Sequence, residues 1–149
     1  MTLSVTLRHN METGHRLPHL RGKCESLHGH SWWVEVTVEA PSLTDGIVVE
    51  FGAYKQRLRA WMDEHLDHGV MLGAADPLLP TLAVAGKVYA FGEPGSLSEG
   101  LEWPTVENVA VLLARVGELC LADCVRSPGA RVARVDVHET HVNAACWRS

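Results

Sequence analysis

The chain has 149 residues, 46% of them hydrophobic and 21% charged, with a net charge of −5 at neutral pH. That composition suits one soluble globular domain over residues 1–149 with a core of its own, and the acidic balance argues against general nucleic-acid binding. The longest apolar runs fall far short of the ~20 residues of a membrane span, and the N-terminus lacks the cationic-then-apolar pattern of a secretion signal.

Thr2 to Arg8 alternates, with Leu3, Val5 and Leu7 opposite Thr2, Ser4, Thr6 and Arg8, which predicts a half-buried strand. The alternation breaks from Met11 to Lys23, where Gly14, Pro18 and Gly22 predict a loop that contains His15. Trp32, Val34, Val36 and Val38 form the apolar row of a second strand running to Ala40. Pro41 to Gly46 reads as a turn, and Gly52 to Leu66 as a helix with Tyr54, Leu58, Trp61, Met62 and His65 on one face. Residues 70–103 are less legible: Asp76-Pro77 can open a helical turn through Leu82, and Lys87 to Phe91 has strand character. Thr105 is a good N-cap for a second helix to about Leu121, apolar over a wide arc (Val106, Val109, Leu112, Leu113, Val116, Leu119) that sheet and a neighbouring subunit could cover. Ala133, Val135 and Val137 predict a third strand, and Asn143 to Trp147 a short fourth. The order ββααββ gives an α+β domain: a four-stranded antiparallel sheet with two helices on one face. Cys120 and Cys124 read as core residues, and four cysteines without a dense disulfide framework point to a reducing, cytoplasmic setting.

Cys24-Glu25-Ser26-Leu27-His28-Gly29-His30 stands out because it leads straight into the second strand. Side chains two apart in an extended chain point the same way, roughly 6.5–7 Å apart. His28 and His30 can therefore share one metal ion, or be two exposed histidines at a strand's start. An antiparallel pairing of the first two strands would bring His15 to them. Glu139 continues the apolar parity of the third strand, so it is either a buried carboxylate needing a partner or a solvated residue past the strand's end. Arg8, Arg16, Arg21 and Lys23, offset only by Glu12, form a local basic stretch suited to an anionic small molecule or to a solvated edge.

In this order the chain resembles the 6-pyruvoyl-tetrahydropterin synthase / 6-carboxy-tetrahydropterin synthase family, built on the tunnelling (T-) fold. The resemblance rests on His15 within METGHRL, on CESLHGH, and on the run Gly46 to Phe51. It continues through Leu66-Asp67-His68, Pro104-Thr105-Val106-Glu107-Asn108 and His138-Glu139-Thr140. It implies zinc held by His15, His28 and His30, a catalytic thiol at Cys24, and Asp67 with His68 working beside it. Glu139 would hold the pterin ring, with Thr105 and Glu107 contributing to its pocket. The implied substrate is 7,8-dihydroneopterin triphosphate. The implied product is 6-carboxy-5,6,7,8-tetrahydropterin, on the route to queuosine and other 7-deazapurines, with 6-pyruvoyl-tetrahydropterin and 6-hydroxymethyl-dihydropterin as alternatives. Subunits of the family join their sheets into a barrel, implying a homo-oligomer, expected to be a hexamer, without nucleic-acid or membrane partners.

Three neutral imidazoles would leave zinc an open position for a substrate hydroxyl, the arrangement of a catalytic site. A thiolate near cations can act as a base, and an aspartate beside a histidine sets its tautomer. With Cys24 as a fourth ligand the site would instead be closed and structural. With Glu25 as a water-activating base it would suit a metal-dependent hydrolase. Glu25 also completes the E-x-x-H-G-H pattern that family members forming 6-hydroxymethyl-dihydropterin carry, so CESLHGH satisfies both patterns. Met11 in place of an aromatic residue, Glu50 in place of aspartate, and a longer stretch between His68 and Pro104 depart from the family pattern.

Overall fold

Two thirteen-residue strands, β1 (Leu3–His15) and β2 (His28–Ala40), form the spine of the computed structural model, which describes residues 1–149. Their antiparallel ladder runs from Leu3 opposite Ala40 to His15 opposite His28. Odd residues of β1 and even residues of β2 share one face, so Leu7, Met11, Trp32, Val34, Val36 and Val38 enter the core together. β1 is thus longer than the expected Thr2–Arg8 strand, and the loop expected from Met11 to Lys23 is confined to residues 16–27. The cause is chemical. His9, Thr13 and His15 continue the buried row, and their polarity hides the alternation.

The stretch that was hard to read supplies two strands. β3 (Gly69–Gly73) pairs parallel with β1 at Thr13–His15, and β4 (Val88–Phe91) pairs parallel with β3. The expected four-stranded antiparallel sheet is therefore a mixed six-stranded one, in the order β4-β3-β1-β2-β5-β6. β3 shows no period because Gly69-Val70-Met71-Leu72-Gly73 is short and apolar throughout, the pattern of an inner parallel strand.

α1 (Phe51–His65) begins at Glu50, whose carboxylate accepts from Gly52 N at 2.7 Å and Ala53 N at 2.6 Å. It buries Tyr54, Leu58 and Met62. A short α2 (Leu79–Ala83) makes three helices where two were expected. α3 (Val106–Ala122) buries Val109, Leu112, Leu113, Val116 and Cys120 against the sheet and α1, while Leu119 is 53% exposed. Apart from Leu119, its wide apolar arc is largely covered within the chain and does not itself require a second subunit.

β5 (Arg131–His138) pairs with β2 through a bulge opposite Thr37 and Val38, so Val132 rather than Ala133 joins Val135 and Val137 in the core. β6 (Ala144–Arg148) closes that side of the sheet. All four cysteines are free, Cys120 and Cys124 being buried as expected. No helix is long and apolar enough to cross a membrane.

Candidate active site

Because β1 ends on the rung where β2 begins, His15 and His28 face each other, and His30 lies two residues along β2 on the same face. The ring centroids are 4.7 Å apart for His15 and His28, 5.3 Å for His15 and His30, and 4.8 Å for His28 and His30. One nitrogen from each ring lies within 4.8 Å of the others. Trp32 packs edge-on beneath them, 5.0 Å from His15 and 5.5 Å from His30, its indole N–H donating to Thr13 O at 3.0 Å.

Two backbone carbonyls fix the tautomers. His15 Nδ1 donates to Pro104 O at 2.8 Å and His28 Nδ1 to Ser26 O at 2.7 Å, which leaves both Nε2 lone pairs free. The Nε2 atoms of His15 and His30 are buried without a hydrogen-bond partner. Orphaned, convergent imidazole acceptors are what a divalent metal such as zinc requires. Burial pushes His15 down to about 4, against the Pro104 hydrogen bond and with the help of His28 and His30. His30 is also lowered, chiefly by burial, although Glu139 opposes the shift. Both rings are therefore neutral near pH 7, the form a metal binds.

Glu139 follows the end of β5 and turns inward, its side chain only 14% exposed. Its Oε1 lies 3.2 Å from His15 Nε2 and 3.6 Å from His30 Nε2. Since His15 Nε2 carries no proton, this is proximity between two acceptors rather than a hydrogen bond. The spot between them suits a cation or a ligand's N–H groups. Each of the two readings left open by the pattern holds in part: the strand has ended at His138, yet the Glu139 side chain is mostly withdrawn from solvent and faces the histidines.

The Asp67–His68 pair sits where α1 hands over to β3, with His68 at φ 56°. Asp67 Oδ2 accepts from His68 Nδ1 at 2.7 Å, and Oδ1 accepts from Glu12 N at 2.7 Å. His68 N donates to Glu12 O at 2.7 Å, and Lys87 Nζ donates to Asp67 O at 2.7 Å and to Asp63 O. Burial raises the Asp67 carboxyl, but the Glu12 N–H and His68 outweigh it and hold it below the usual range. The His68 side chain is 80% exposed, so its Nε2 faces solvent. A cleft of about 350 Å³ is lined by Glu12, Gly14, Gly29, His30, Ser31 and Gly69, where β1, β2 and β3 meet. Gly14 keeps the sheet bare there, since a Cβ would come within 3.1 Å of His28 O.

Cys24 and Glu25 lie on an exposed 3-10 turn (Lys23–Glu25), and the converging nitrogens belong to the three histidines alone. That arrangement leaves the closed four-ligand site without support. Thr105 caps α3, accepting from Asn108 N at 3.2 Å, and directly follows the carbonyl that orients His15. Glu107 is not brought to the cluster. It lines a separate cleft of about 300 Å³ between α3 and β6. The expected basic stretch is partly neutralised: Arg16 pairs with Asp76, and Arg8 pairs with Glu35 at 3.4 Å while lying over Trp33. Pro104 and Ser26, which orient two of the histidines, act through backbone carbonyls and carry no sequence signal. Lys87 was legible only as part of a strand.

The 6-pyruvoyl tetrahydropterin synthase family model matches residues 4–149. A Rickettsia typhi protein named 6-carboxy-5,6,7,8-tetrahydropterin synthase is 36% identical over 113 residues, covering 74% of this chain and 77% of that one. A Rickettsia bellii protein of the same name is 36% identical over 75 residues, 50% of this chain and only 54% of the relative's length. Among solved structures, the uncharacterized protein WS1659 from Wolinella succinogenes superposes with a TM-score of 0.75 at 24% identity, covering 100% of this chain and 99% of that one. The Caenorhabditis elegans 6-pyruvoyl tetrahydropterin synthase gives 0.68 at 20% identity, with 100% and 96% covered. These two show the shared fold, and the match along nearly the whole sequence shows the lineage: the chain belongs to the 6-pyruvoyl tetrahydropterin synthase family of enzymes.

Proposed function

We propose that the chain is a zinc-dependent lyase converting 7,8-dihydroneopterin triphosphate to 6-carboxy-5,6,7,8-tetrahydropterin, with release of triphosphate and acetaldehyde. The observation that carries this reading is the convergence of three imidazole nitrogens, two of them orphaned, beside an inward-facing carboxylate. The product name carried by relatives at 36% identity supports the choice of product. His15, His28 and His30 would hold the ion, which when bound lowers the pKa of a substrate hydroxyl and stabilises negative charge on its oxygen.

The remaining work falls to side chains. Cys24 acts as a general base, with its thiol on an exposed turn that follows Arg16, Arg21 and Lys23 in the chain. Asp67 holds His68 with its proton on Nδ1, leaving Nε2 to take up or return a proton at the substrate side chain. Glu139 accepts from the amino group and ring N–H of the pterin, a paired edge that matches its two oxygens. Thr105 contributes beside it, next to the carbonyl that orients His15. The active unit in this reading is a cytoplasmic homo-oligomer, a hexamer, that engages neither nucleic acid nor membrane.

The test is to load the protein with zinc, add dihydroneopterin triphosphate, and quantify each pterin by mass spectrometry. The expected main product is 6-carboxy-tetrahydropterin. A main product of 6-pyruvoyl-tetrahydropterin or 6-hydroxymethyl-dihydropterin would overturn the product assignment, and no turnover would overturn the reading as a whole.

A further inference from the structure

The loop of residues 16–27 joins a histidine ligand to the proposed base, and it is anchored from outside its own strands. Arg16, the residue after His15, makes a two-pronged pair with Asp76: Nε to Oδ2 at 2.8 Å and Nη2 to Oδ1 at 2.6 Å. The Asp76 side chain is 0% exposed, and its Oδ1 also accepts from Leu78 N at 2.8 Å. Three residues further on, His19 stacks on Trp103, centroids 4.6 Å apart and planes 15° from parallel. Leu17 is buried between these anchors, and its N–H donates to Cys24 O at 2.7 Å, closing the loop on the residue that carries the thiol. Trp103 is itself wedged against Gly73, where a Cβ would come within 2.7 Å of its ring. The next residue, Pro104, orients His15.

We propose that Asp76 and Trp103 are positioning residues that set where the Cys24 thiol stands relative to the three histidines. Both come from the stretch between β3 and α3, so the loop is gripped by a part of the chain that carries no reacting group. The grip acts at Arg16 and His19, and Leu17 transmits it to Cys24 through one backbone hydrogen bond. A bidentate carboxylate–guanidinium pair fixes orientation as well as distance, and a stacked ring pair fixes a plane. Together they leave the loop little freedom to pivot about His15. This assignment rests on Cys24 being the base of the proposed reaction.

The experiment uses a Cys146→Ser background, which leaves Cys24 the one exposed thiol, and adds Asp76→Asn, Trp103→Ala or Trp103→Phe. Each protein is assayed for zinc per chain, for steady-state kinetics on dihydroneopterin triphosphate, and for the pH profile of Cys24 alkylation by iodoacetamide. Displacement of a catalytic group by about 1 Å costs roughly 10²-fold. Asp76→Asn and Trp103→Ala should therefore lower kcat by about that factor, with KM changed less than about threefold. Zinc content should stay at the parent level, the alkylation profile should move, and Trp103→Phe, which keeps a stacking ring, should restore most of kcat. Parent-like kcat and alkylation profiles in Asp76→Asn and Trp103→Ala would overturn the proposal, and so would loss of zinc along with activity. If the parent itself makes no pterin product, the functional reading fails, while the alkylation profiles still decide whether Asp76 and Trp103 place Cys24.

Discussion

A metal-binding imidazole must present a free lone pair, and at this site two carbonyl oxygens, from Pro104 and Ser26, arrange it. His15→Ala, His28→Ala and His30→Ala should each lower bound zinc from about one per chain to a small fraction, because three ligands leave no surplus. Cys24→Ala should keep the metal, its thiol standing outside the converging set; elemental analysis of the four proteins decides, and zinc loss in Cys24→Ala would revive a closed site. Proton linkage gives a second expectation. The ordinary histidine value of 6.5 falls to about 4 for His15 in the folded protein. Between these values the unfolded chain binds a proton that the folded chain excludes, so stability rises with pH across the window. The contribution is present above pH 6.5 and is lost as pH falls towards 4. Urea midpoints of the metal-free protein should decline from pH 6.5 to pH 4, and a flat series would show that His15 is not held neutral by the fold. The three histidines that converge were legible in CESLHGH and METGHRL. Their orienting partners were not, because a backbone carbonyl is common to every residue and only the fold selects one.

Elements differ in how far their sequence announces them. The strand built on Trp32, Val34, Val36 and Val38 was legible because one face is core and the other polar, and both long helices because apolar residues recur at the helical period. Buried polar residues defeat the same logic in β1, where His9, Thr13 and His15 occupy core positions and turned half a strand into an expected loop. β3 failed for the opposite reason, having no polar face at all. Its last residue, Gly73, packs so closely on Trp103 and on Glu102 O that a methyl group would come within 2.7–2.8 Å of both. Gly73→Ala should therefore cost about 1–3 kcal/mol through overpacking. An unchanged urea midpoint would mean that Trp103 moves freely, against the rigid grip on the 16–27 loop. Lys87 ties β4 to the end of α1 through the carbonyls of Asp63 and Asp67. Replacing it by Met should cost about 1 kcal/mol and loosen the Asp67–His68 turn, which would show as faster hydrogen exchange at the His68 amide.

At the scale of the whole molecule, the sheet leaves hydrogen-bonding edges open. β6 has a partner on one side only, and β3 covers β1 only at Thr13–His15, so the outer edge of β1 from Leu3 to Asn10 carries no strand. Long uncovered edges are templates for pairing with another chain. Beside this one lies an apolar cleft of about 210 Å³ lined by Leu3, Val5, Leu43, Ile47 and Phe51, of which Leu3, Leu43 and Phe51 are exposed. Exposed apolar side chains gathered next to an open edge mark an association surface, whereas single ones scattered over a surface carry no such meaning. The wide apolar arc of α3 is a weak argument for oligomers, since the chain covers most of it and leaves Leu119 exposed, and the case for the proposed hexamer rests on the edges and this cleft. Sedimentation at micromolar concentration should find the wild-type protein larger than a monomer. Leu43→Asp with Phe51→Asp should shift it towards the monomer, because assembly would bury two unpaired carboxylates. Both substitutions lie away from the histidine cluster, so zinc content should be unchanged in the double variant. A wild-type protein that sediments as a monomer while turning over substrate would refute the oligomer, and an unshifted double variant would move the association surface elsewhere on the sheet.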